Sequence, residues 1–134
     1  MKAGYFASAI GILLVTASAA LADPTGTFDV KGTNPDTGKE YKGTAEVTRT
    51  GQTYTVVWKI AGDKFIGTGL GAKFVGNRFE IGAATPDDTA ISVGYVSNNS
   101  FGMAMFFEQD DGHWEGAWTY GGSQIAAPEN WYRQ

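Results

Sequence analysis

The stretch Asp111-Gly112-His113-Trp114-Glu115-Gly116-Ala117-Trp118-Thr119-Tyr120 holds the chain's only histidine. An imidazole beside Glu115, close behind Asp110 and Asp111, has the ingredients of acid–base chemistry or a small metal site. The spacing argues otherwise. Trp114, Gly116, Trp118 and Tyr120 alternate with His113, Glu115, Ala117 and Thr119, the period of a half-buried strand. The aromatic face belongs in a core, which turns His113 and Glu115 toward water. The nearby carboxylates fit neither the calcium-loop pattern nor His-Glu-x-x-His. Asn34-Pro35-Asp36-Thr37-Gly38 has too few carboxylates for a calcium loop and reads as a turn, as do Asp87-Asp88 and Asp110-Asp111. Ser92, Ser97, Ser100 and Ser123 lie in no Gly-x-Ser-x-Gly elbow. With no cysteine, disulfides and thiolate chemistry are excluded. The sequence therefore assigns no catalytic, cofactor-binding or metal residue, and the expectation is a protein that is not an enzyme.

The remaining candidates are aromatic and methionine stripes. Tyr54, Trp58, Tyr95, Met103, Met105, Trp114, Trp118 and Tyr120, with Phe107, are expected on the inner face of a closed sheet. They would be either plain core, since eight strands leave an interior just wide enough for side chains, or the walls of a small cavity for an apolar ligand. Methionine suits such irregular walls. Gly67, Gly69 and Gly71 share one strand face, leaving room for a neighbour's large ring or for a ligand. Trp58 and Trp118 are both expected in the central core, where truncating Trp118 would cost about 3–5 kcal/mol.

Those stripes need strands to carry them. Period-two alternation runs through Phe28 and Val30, Tyr41 to Val47, Tyr54 to Ile60, Phe79 and Ile81, Ile91 to Tyr95, and Phe101 to Phe107. Turn signals separate the runs at Thr50-Gly51-Gln52, Gly62-Asp63, Gly76-Asn77, Pro86-Asp87-Asp88 and Asn98-Asn99-Ser100. About eight strands fit between Gly26 and Gly121. The fold expected is all-β, a single small up-and-down antiparallel barrel of about eight strands, with a two-sheet β-sandwich as runner-up. Glu40, Lys42, Thr44, Glu46 and Thr48 form a polar outer face that could not sit in hydrocarbon, so an outer-membrane barrel is disfavoured.

Before the strands, Met1-Lys2 leads into the apolar Ile10, Ile12, Leu13, Leu14 and Val15, then Ala20-Leu21-Ala22 and Asp23. This is the pattern of a secretory signal peptide over 1–22, with one domain over 23–134. The chain is expected to be exported, periplasmic or secreted, with no membrane segment after removal of the leader. Ten basic residues face fourteen acidic ones, a net charge of −4. Loss of Lys2 makes the mature chain one charge more negative, which disfavours nucleic acid and anionic membrane surfaces as partners.

The span from Pro24 to Gly69 carries Gly-Thr-aromatic, Gly-Thr-Asn-Pro-Asp, Tyr-x-Gly-Thr, Tyr-x-Val-x-Trp and Gly-x-Gly, and the end carries Asp-Gly, Trp-x-Gly-x-Trp and a closing aromatic-Arg. These motifs resemble a family of small exported bacterial proteins often labelled fibronectin-binding. Where that family has Gly-x-Glu near its end, this chain has Gly122-Ser123-Gln124 and Ala127-Pro128-Glu129. The resemblance implies a non-enzymatic binding protein whose partner is an extracellular-matrix protein such as fibronectin. Two other expectations stand beside it: a barrel binding a small apolar ligand, and a periplasmic inhibitor or structural protein. An open cavity of roughly 300 Å³ or more would favour the small-ligand carrier, and a large exposed apolar patch would favour protein binding.

Overall fold

The computed structural model describes residues 22–134; the expected signal segment lies outside the described residues, save for its last residue, Ala22. Nine strands follow in order: β1 (Gly26–Thr33), β2 (Glu40–Thr50), β3 (Thr53–Ile60), β4 (Asp63–Val75), β5 (Arg78–Gly82), β6 (Ala90–Ser97), β7 (Ser100–Glu108), β8 (Trp114–Tyr120) and β9 (Ala127–Arg133). Eight of them close an antiparallel barrel in the cyclic order β1-β2-β3-β4-β6-β7-β8-β9, and β5 stands outside it. Closure leaves the eight barrel strands without free edges.

The strand count matches the sequence expectation, but the membership differs. Phe79 and Ile81 lie on β5, which pairs only with the far end of β4 and is exposed throughout. The eighth stave is instead β9. It pairs with β8 from Trp114↔Trp131 to Trp118↔Ala127 and with β1 from Phe28↔Arg133 to Gly32↔Glu129. Pro128 lies just beyond the β1 ladder, where its missing N–H is tolerated.

A second departure concerns β7. Its inner face is Gly102, Ala104 and Phe106, while Phe101, Met103, Met105 and Phe107 point outward. Met103 is 50% exposed and Met105 47%. Both faces of β7 are apolar, so periodicity alone does not say which one is buried. The neighbours decide: a Cβ on Gly102 would collide with the Tyr95 hydroxyl, and one on Gly116 with the Phe106 ring. Small residues thus stand beside large ones on the neighbouring strand, as close packing demands.

The waist is filled by rings. Trp131 stacks on Phe106 at 3.8 Å between centroids, and lies 5.9 Å from Trp58 and 5.5 Å from Phe28. The space over the β4 glycines is taken by neighbours, with Trp58 and Val93 against Gly67, and Asp88 and Tyr54 against Gly71. Among the described residues no helix is long and apolar enough to cross a membrane.

Candidate functional site

The barrel has one sealed end and one hollow end. The hollow end contains a cavity of about 390 Å³, open to solvent. Its deep walls are Trp58 from β3, Phe65 from β4, Tyr95 from β6 and Trp118 from β8, with Tyr41 from β2 and Ala104 from β7. The rings meet edge to face: Tyr95 lies 5.8 Å from Trp58, 6.1 Å from Phe65 and 6.4 Å from Trp118, and Trp118 lies 6.1 Å from Tyr41. The rim is mostly polar, with Asn34, Thr37, Lys39 and Glu40 on one side and Asp63 beside Ala61 on the other.

The end stays open because its loops hold themselves upright. Asn34 Oδ1 accepts the backbone N–H groups of Asp36 (2.8 Å) and Thr37 (3.2 Å), and its backbone closes on Lys39 O and Gly38 N. The Tyr120 hydroxyl donates to Asp36 and ties this loop to the end of β8. Opposite, β3 and β4 are joined by Ala61-Gly62, both at positive φ (52° and 83°), the geometry of a tight hairpin turn that cannot reach across the mouth.

At the floor lies Glu129 of β9, only 4% exposed. Its Oε1 accepts the indole N–H groups of Trp58 (2.8 Å) and Trp131 (2.7 Å), and its Oε2 accepts the Tyr41 hydroxyl. Burial pushes the carboxyl above its ordinary value, while the donors from Tyr41, Trp131 and Trp58 pull the other way. Burial raises the Tyr41 hydroxyl too, with the Glu129 charge adding to the effect. Trp118 Nε1 is buried near that hydroxyl yet makes no hydrogen bond of normal geometry.

The residues singled out from the sequence divide by location. Trp58, Tyr95 and Trp118 line the cavity. Tyr54 and Trp114 are fully buried away from it. Tyr120 is held at the barrel's edge by Asp36, and Met103 and Met105 are on the outer wall, opposite to the inward placement expected of them. Trp118 is only half-buried, so it is a cavity wall rather than a central core residue. Glu129, Tyr41 and Phe65 were missed. The signal for Glu129 was the alternation Ala127, Glu129, Trp131, obscured by the proline and the charge within it.

His113 sits outside the barrel near the sealed end, just before β8. Nδ1 contacts Asp111 and Nε2 lies 3.1 Å from Glu115 Oε1. Its ring stacks on Tyr132 at 5.3 Å, so it is more shielded than a side chain in open water. The Asp111 contact, helped by Glu115, raises its pKa above the ordinary value against the opposing effect of burial. The cavity does not include it.

The outer wall is itself divided. On β4, β6 and β7, the rows Ile66–Val96–Phe101 and Leu70–Ser92–Met105 face out on either side of Thr68–Gly94–Met103. Phe74, Phe79 and Phe107 continue the patch, with centroids 3.9 and 5.8 Å apart. The outer faces of β1 and β2 carry Asp29, Lys31, Lys42, Glu46 and Thr48 instead.

Fold and cavity together define a small closed antiparallel barrel with one hollow, aromatic-walled end. No protein-family model matches the chain, and no curated protein matches it.

Proposed function

We propose that this is an exported, non-enzymatic binding protein that takes a small, largely apolar ligand into the open end of its barrel. The observation that carries the reading is the cavity of about 390 Å³. Its size falls in the range of small-molecule sites, and it combines apolar walls with a few converging polar groups, as such sites do. The test is a titration with the uncharged fluorescent probe phenylnaphthylamine. Saturable binding that weakens at least about tenfold in Trp118→Ala and persists in Met103→Ser/Met105→Ser supports the cavity. The reverse pattern places binding on the outer wall and overturns the reading.

That outer wall favours a second reading. An apolar face spread over β4, β5, β6 and β7, with Phe101 65% and Ile81 79% exposed, is of the kind that marks protein interaction sites. The resemblance to fibronectin-binding proteins belongs to this reading, in which a matrix protein docks against the face. Surface-immobilised fibronectin would then retain the wild type and release Met103→Ser/Met105→Ser.

A further inference from the structure

We infer that the open-end cavity selects organic ammonium ions with an apolar body over neutral or anionic molecules of the same shape. This rests on the cavity being the binding site and names its ligand class.

Glu129 is buried beneath the cavity, and no lysine, arginine or histidine among the described residues bridges it. Its three partners, Tyr41, Trp58 and Trp131, are neutral donors. Donors converging on both oxygens match the ionised carboxylate, which offers about four acceptor sites. Buried charges are ordinarily paired, and here no side chain among the described residues supplies the pairing charge.

The walls supply a second, independent attraction. Trp58, Trp118, Tyr41 and Tyr95 gather around one space, and aromatic faces attract a cation within about 6 Å, most strongly when water is excluded. The rim points the same way, since Glu40 and Asp63 outnumber Lys39 there. An anion would meet Glu129 across a medium of low dielectric and be repelled. A neutral ligand would bury the carboxylate further without balancing it. An ammonium group answers the floor, walls and rim together, and the apolar remainder of the ligand fills the space beside Phe65 and Ala104.

Three probes of one length decide the matter: phenylbutylammonium, phenylbutanol and phenylbutanoate, each competed against phenylnaphthylamine on the folded protein at constant ionic strength. The expected order is ammonium, alcohol, carboxylate, with ammonium at least about tenfold tighter than alcohol. Glu129→Gln should bring ammonium and alcohol within about threefold of each other while the alcohol still binds. Glutamine can keep the local pattern, its oxygen accepting both indoles and its amide meeting Tyr41. Asp88→Asn, which removes a buried carboxylate from the sealed end, should leave the preference intact. If Glu129→Gln does not fold, the ranking on the wild type stands as the test. An alcohol that binds as well as the ammonium ion overturns the inference and leaves the cavity reading in place. So does a dye that binds but yields to none of the three. A dye that does not bind at all removes both.

Discussion

The two ends of the barrel use the same device to opposite effect. Each buries a carboxylate, Asp88 at the sealed end and Glu129 at the open one. Asp88 Oδ2 accepts the Tyr54 hydroxyl and the Thr85 N–H (3.0 Å), and it occupies the space that a side chain on Gly71 would need. The segment bearing it folds inward, pinned by Ala84 N–H to Gln52 O (3.0 Å) and Thr89 N–H to Ala72 O (2.9 Å). It seals that end. Glu129 receives three donors, but the loop over it, residues 34–39, bonds to itself and to Tyr120 at the end of β8 and forms a wall of the cavity. Connecting segments, rather than strands, decide whether a small barrel is solid or hollow.

That contrast is most exposed to test by two tryptophans on one strand. Trp114, at the sealed end of β8, is fully buried, whereas Trp118, at the open end, is half-buried with the cavity on one side. Trp114→Ala should cost about 3–5 kcal/mol in chemical denaturation, because it opens a void in packed surroundings. Trp118→Ala should cost about 1–2 kcal/mol, because it enlarges a space already present. Equal losses would mean that the open end is packed like the sealed one.

The carboxylate at the open end also sets the two ends apart through pH. Burial lifts the Glu129 pKa in the folded protein above 4.5. Between these two values the folded chain holds a proton that the unfolded chain has released, so stability falls as pH climbs through that window and levels off above it. Tyr41 and Tyr95 face the group, but burial first of all raises both, Tyr95 to about 12, so neither titrates there. Wild type should therefore gain melting temperature relative to Glu129→Gln as pH is lowered from neutrality toward 4.5. A difference that stays flat, or runs the other way, would show that the donors outweigh burial.

The smallest effect belongs to His113. Its folded pKa is raised, chiefly by Asp111, so what it contributes is complete below about 6.5 and disappears as pH rises through the folded value. Asp111 and Glu115 are both well exposed, and solvent screens such pairs. His113→Ala should change stability by less than about 0.5 kcal/mol at neutral pH, and the single imidazole resonance should titrate above 6.5 in NMR. A midpoint below that value would mean the Asp111 contact is absent in solution.

Much of the architecture was legible in the chain. Alternation from Phe28 to Tyr120, broken by short glycine- and asparagine-containing turns, determined an antiparallel all-β chain and favoured a closed barrel over a two-sheet sandwich, because a strand must bury one face and tight turns join antiparallel neighbours. The aromatic face of β8 was equally plain, and with it the position of His113 outside the core. The inward face of β7 was not: Phe101, Met103, Met105 and Phe107 are as apolar as the face that is buried, and only the rings of Tyr95 and Trp118, paired beside them on β6 and β8, select Gly102 and Ala104. Nor was β9, whose Pro128 and Glu129 belie a buried strand until β1 and β8 are in place on either side. The cavity lies furthest from sequence, because it is the space left where one end loop, held by its own hydrogen bonds and by Tyr120 on β8, lines the mouth without filling it. Local periodicity specifies which residues can form a wall. Which walls meet, and what lies unfilled between them, depends on contacts between residues far apart in the chain.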